Sequence, residues 1–270
     1  MARPRDIGWR DAPDRPFGGP AGLVEGIGLA ALTLLGCLGL YVRILVGRAR
    51  LDLPAFAAAL RQSGLSILPA ITLVAAAVGA ILGHQTEAVL GQFNLPGLVL
   101  LPITYGLVME LVPVLVGILV AGRAGVALAV RQATLTVSGE VDGLLVNGIH
   151  PIRFTVAPVL LAMLLMSFGF VVWVSLVTFA AAFLWLWAQV NIPPALFLDA
   201  LAQSLSPSDL LEALGKPLLF ALLIALIATV NGTAAGRDPQ GIGEAATSTM
   251  IGAVAAILVA DLLVILLVRG

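Results

Sequence analysis

Four ionisable side chains stand in sequence that is otherwise apolar. Glu110 and Arg123 both lie in LVMELVPVLVGILVAGRAGVALAV, residues 107–130; Lys216 heads the apolar run 217–229, and Asp261 interrupts the run 245–268. A charge placed deep in a bilayer costs at least about 2.5–3.5 kcal/mol. A carboxylate kept there faces a cavity, has a partner, or is neutral. Glu110 and Arg123 are 13 residues apart. That is about 20 Å along a helix and places them on different faces, so they cannot pair along one helix. Pro113, one turn after Glu110, frees a backbone carbonyl beside it and can kink the helix. Arg123 reads as an anchor whose charge reaches the membrane surface from the end of its helix.

Other chemistry is missing. The chain has 2 histidines and 1 cysteine, too few for an obvious zinc site. His84 reads as a polar pocket residue rather than a ligand. There is no nucleophile elbow and no HExxH pair. The single lysine, Lys216, is followed by Pro217, so no phosphate loop is present, because that loop needs Lys followed by Ser or Thr. Nothing argues for an enzyme, and ATP chemistry has to come from another polypeptide.

The elements that must position these groups are membrane helices. Of the 270 residues, 60% are hydrophobic and 11% charged, against about 25% charged in soluble domains. The apolar tracts are continuous rather than alternating, which fits helices and not barrel strands. Spans are expected at about 62–86, 98–121, 154–186, 212–230 and 246–268. Residues 1–20, rich in Arg, Asp, Pro and Gly, read as a flexible cytoplasmic tail, and 21–270 as one domain. The uncharged stretch 26–42 is borderline in length and suits a surface helix over about 23–50. With five spans and an inside N-terminus, only Lys216 and Arg269 of the 14 basic residues fall outside, as the positive-inside rule prefers. Pro193-Pro194 ends the third span or turns the chain along the surface. Gly79 and Gly83 form a small-residue face suited to close helix contact.

The cytoplasmic segment after the second span contains SGEVDGLLVNGIHP, residues 138–151. Ser138 with Glu140 and Asp142 can start a short helix, and Gly148 and Pro151 can stop it. Its apolar residues Val141, Leu144, Leu145 and Ile149 follow helical spacing.

MELVPVLVGILVAGRAGVALA resembles the signature of the MlaE permease family, R-E-L-G-P-V followed by A-G-R-A/V-G-S-A. GEVDGLLVNGIHPIRFTVAPVLLA is similar to that family's second motif. The resemblance continues through VNG at 230–232, GIGEAATSTM at 241–250 and Asp261, and covers roughly residues 50–268. Pro113, Gly122, Arg123, Gly125 and Asp261 are its signature positions here. The pattern is departed from in three places: Met109 replaces the usual Arg, Arg131 the usual Glu, and Gly243-Glu244 stands in the usually basic stretch.

The resemblance implies an all-α permease subunit of an ABC-type lipid transporter in a bacterial inner membrane. It implies a second permease copy, a cytoplasmic ATPase dimer that binds the ATP and Mg, a periplasmic ring of MCE-domain proteins, and membrane lipid as cargo. No cofactor or metal is expected in this chain, and no nucleic-acid partner. By position, the pocket would involve Leu82, Gln85, Val89, Leu90, Phe93, Glu110 and Lys216. The coupling helix on the ATPase would use Glu140, Val141, Asp142, Leu144, Leu145, His150 and Pro151. Two other classes compete: a stand-alone proton-coupled transporter or channel using Glu110, and a membrane anchor that transports nothing.

Overall fold

The computed structural model describes residues 20–48, 52–93, 110–148, 151–204, 207–236 and 239–269. The tail 1–19, the segment 94–109 with Met109, and His150 lie outside the described residues. So do the side chains of Leu90, Phe93 and Asp142. Among the described residues the protein is all-α, and six helices are long and apolar enough to cross a membrane. It is an all-α integral membrane protein.

The order is α1 (Pro20–Leu45), α2 (Leu53–Leu60), a wide π turn (Arg61–Leu65) and α3 (Leu68–Phe93). Then come α4 (Val112–Val120), a second π turn (Ala121–Gly125), α5 (Val126–Val137), α6 (Glu140–Val146) and α7 (Pro151–Thr155). Last are α8 (Ala157–Val190), α9 (Pro194–Ser204), α10 (Pro207–Thr233) and α11 (Pro239–Arg269). The core between α4, α8, α10 and α11 is filled by Val116, Leu160, Met163, Phe220, Ile224 and Ile257, all fully buried.

Contacts give the direction of each helix. The Trp173 indole donates to Thr72 Oγ1, the Thr178 hydroxyl to the Ala75 carbonyl, and the Trp185 indole to Glu87. Partner numbers rise together, so α3 and α8 run parallel. They meet closely because Gly79 and Gly83 line the seam. A Cβ on Gly79 would strike the Thr178 carbonyl, and one on Gly83 would sit 2.7 Å from the Trp185 Cβ. The α4–α5 rod runs parallel to α10, as Lys216 meets Glu110 and Gly232 meets Gln132. α11 runs against both, with Thr249 beside Asn231 and Asp261 beside Lys216. The five rods therefore alternate in direction, as the arginine distribution requires.

The first helix lies across this bundle. Glu25, Leu29 and Leu32 border a groove closed by Thr233, Ala234 and Ala235 at the end of α10. Twelve residues after Leu29, the Tyr41 hydroxyl donates to the Ala157 carbonyl at the start of α8, at 2.7 Å. Both halves of α1 thus touch one end of the bundle, as a surface helix does. Its inward stripe, Thr33 and Cys37, is fully buried.

Three boundaries differ from the sequence expectation. The rod carrying Glu110 does not end near residue 121: VALAVRQATLTV continues it as helix to Val137, so Arg123 sits mid-rod rather than at a helix end. A single arginine cannot stop a helix whose next breaker is the Ser138-Gly139 pair. The N-cap of α6 is Gly139 at φ 73°, not Ser138. The turn needs a left-handed residue, which glycine adopts without steric cost. Pro151 opens α7 rather than closing α6, since proline fits the first helical turn. Pro194 plays the same part for α9, after α8 stops on the left-handed Asn191.

Candidate functional site

Three rods each bring ionisable groups to one point. Glu110 is held on the wide turn that precedes α4, where Pro113 occupies the first helical turn. α10 supplies Lys216 and, one turn earlier on the same face, Glu212. Pro217 follows inside the helix, so the backbone there lacks the N–H that would bond the Ala213 carbonyl. α11 supplies Asp261.

Lys216 is the hub. Its Nζ donates to Glu110 Oε2 at 2.9 Å and lies 3.0 Å from Asp261 Oδ1 and 3.5 Å from Glu212 Oε1. The lysine side chain is 1% exposed and that of Glu110 30%. Glu212 and Asp261 are largely buried. The contacts to Asp261 and Glu212 are ion pairs. One ammonium therefore faces three carboxylates drawn from three rods. Such a knot fixes the rods' relative register, and removing its centre would leave buried charge uncompensated. Glu110, the most open member, is the one through which the knot reaches outward.

Met109 stands where the family has Arg, and Lys216 supplies Glu110 with a cation from another helix. Glu212 was not among the expected site residues. Its spacing of four residues from Lys216 was the available signal, since i,i+4 positions share a helix face.

The knot lies in the outer half. Gln132 Nε2 donates to Thr155 Oγ1 at 2.8 Å, which fixes α5 against the end of α7, two residues before α8 begins. Glu110 is about 33 Å further along its rod from that level. Nearer the outer end, the Trp185 indole donates to Glu87 Oε2 at 2.8 Å, and His84 Nδ1 lies 3.7 Å from the same oxygen.

The α3 residues expected to line the pocket are divided. Leu82 and Val89 are half-buried and Gln85 is exposed. α3 packs along α8, with no comparable contact to α10 or α11 among the described residues. The structure therefore brings Glu110, Lys216 and Asp261 together, and leaves Leu82, Gln85 and Val89 apart from them within one chain.

At the other end, α6 projects between glycines at φ 73° and 71°, Gly139 and Gly148. Val141 and Leu144 are half-buried and Glu140 is exposed. Leu145 is 55% exposed and Val146 88%. Val146 was not among the expected anchors, although it completes the apolar tip. Of the signature glycines, Gly125 has no room for a side chain because Ile224 packs against it, while Gly122 borders Met250.

The family model described as permease MlaE matches residues 56–267. A probable ABC transporter permease protein of Rickettsia prowazekii is 27% identical over 201 residues, covering 74% of this chain and 78% of its own. The chloroplastic protein TRIGALACTOSYLDIACYLGLYCEROL 1 of Arabidopsis thaliana is 31% identical over 152 residues, covering 56% and 43%. A probable ABC transporter permease protein of Pyropia yezoensis, ycf63, is 29% identical over 143 residues, covering 53% and 54%. The match runs through the α4 rod that carries Glu110, the α10 rod that carries Lys216 and most of α11 with Asp261, and on that ground the chain belongs to the MlaE permease family.

Proposed function

We propose that this chain is the membrane subunit of an ABC-type lipid transporter, moving phospholipid or another extended hydrophobic molecule between a bacterial inner membrane and the periplasm. The observation that carries this reading is the partly open Glu110 on a buried Lys216 knot in the outer half of the bundle. Two copies would pair so that Leu82, Gln85, Val89, Leu90 and Phe93 of α3 wall an apolar cavity, with Glu110 and Lys216 as its polar end. Few convergent polar groups on apolar walls suit such cargo. The name of the Arabidopsis relative contains a galactolipid, which supports a lipid. With Met109 in place of Arg and Glu212 added to the knot, the site favours a less anionic cargo than typical relatives take.

The chain has no phosphate-binding loop, so hydrolysis would come from a separate ATPase dimer docked on α6. Leu144, Leu145 and Val146 would fill its groove, with Glu140 and Asp142 orienting the contact. His150 and Pro151 would complete that surface, and an MCE-domain ring would receive the cargo on the other side. The surplus of carboxylates at Lys216 is the one observation favouring a proton-coupled transporter instead. Proteoliposomes containing the chain with its P-loop ATPase separate the two. Lipid transfer that requires ATP supports the permease. Transfer that ignores ATP and follows a pH gradient overturns it.

A further inference from the structure

The three arginines described on the α2–α5 segment have no role in the outer knot. Arg61 lies on the first π turn and Arg123 on the second; both are exposed, and the two turns pack against each other. Arg131 is exposed two turns beyond Arg123. Among the described residues no ion pair includes an arginine, and segment 94–109 contains no acidic residue.

Depth makes this notable. Arg123 is nine residues before Gln132, which is bonded to Thr155, and so stands about 13 Å above that level. The first π turn reaches the same depth independently. Gly64 packs on Met166, eleven residues after Thr155 and so about 16 Å above it. The interval from Thr155, at the end of α7, to Trp185 on α8 is about 45 Å, close to the full thickness of a bilayer with its headgroups, about 40–45 Å. Both arginines therefore lie just inside the hydrocarbon edge of the arginine-rich leaflet, cytoplasmic by the positive-inside rule. A lone arginine at that depth extends to the headgroups. Two on touching turns repel in a medium of low dielectric unless an anion lies between them.

We propose that Arg61 and Arg123 together hold the phosphate of a glycerophospholipid from the cytoplasmic leaflet, at a site separate from the outer knot. The planar guanidinium offers paired N–H donors that match phosphate oxygens. Packed π turns, a backbone form frequent at functional sites, carry both forks. The lipid's chains lie against the exposed apolar surface of the bundle, and Arg131, nearer the rim, adds to the local positive field.

Native mass spectrometry of the full chain in non-ionic detergent tests this, titrating dioleoylphosphatidylglycerol against dioleoylglycerol, which has the same chains and no phosphate. The wild type should retain the phospholipid about tenfold better than the diacylglycerol. Arg61→Gln/Arg123→Gln should abolish that preference. Arg61→Lys/Arg123→Lys should keep part of it, and Arg43→Gln, on the surface helix, should leave it intact. If the double glutamine variant does not fold, Arg123→Gln alone decides, with about a threefold loss expected. The proposal is overturned if the glutamine variants keep the wild-type ratio, if diacylglycerol is retained equally well, or if Arg43→Gln reduces the ratio as much.

Discussion

The two ends of the bundle treat charge in opposite ways. In the outer half, Lys216 is almost fully buried and meets three carboxylates from its own chain at 2.9–3.5 Å. In the inner half, Arg61 and Arg123 are exposed and meet none among the described residues. Lysine's compact ammonium can be enclosed by carboxylates, whereas arginine's fork on a long stem can reach out to a headgroup. Outer charge therefore ties helices together, while inner charge is left for a ligand. Stability should depend on the first and binding on the second.

The largest effect should follow loss of the hub. Lys216→Met leaves buried carboxylates unpaired and should destabilise the bundle by about 3–5 kcal/mol, measured as a large fall in the thermal unfolding midpoint in detergent. Asp261→Asn should cost less, because Glu110 and Glu212 still hold the lysine. Equal midpoints for wild type and Lys216→Met would break the contrast.

Gly83→Leu comes next. The added side chain meets Trp185 at the α3–α8 seam and should cost about 1–3 kcal/mol, read in the same melt. Arg123→Gln should cost less than about 1 kcal/mol in the same melt, because no ion-pair partner among the described residues is lost. A drop as large as that of Lys216→Met would show that Arg123 is structural. Leu144→Asp and Val146→Asp should leave the melt unchanged and abolish co-purification of the ATPase. Normal co-purification would remove α6 from the coupling role.

Much of this division was legible in the sequence. Continuous apolar tracts gave the rods, the arginine distribution gave their alternation, and the cost of a membrane carboxylate singled out Glu110 and Asp261. The knot itself was not legible. Lys216 and Glu110 are 106 residues apart, and only the parallel register of two rods brings them together. Glu212 was hidden because it falls at the very edge of the expected span 212–230, whereas α10 starts at Pro207 and places it on the lysine's face. Arg123 was misplaced because an arginine after an apolar run looks like a helix end. The helix absorbs it in a π turn and continues.

The outer site is tested most directly by lipid mass spectrometry on the chain purified with its ATPase, comparing wild type, Met109→Arg and Glu110→Gln. With the inner site removed by Arg61→Gln/Arg123→Gln in all three proteins, the account predicts a lipid pool poor in anionic phospholipid when residues 109 and 110 are unchanged. Met109→Arg should shift it towards anionic species, and Glu110→Gln should change its composition and slow transport. The same bound lipids and the same transport rate in all three proteins would make Glu110 purely structural and contradict the account.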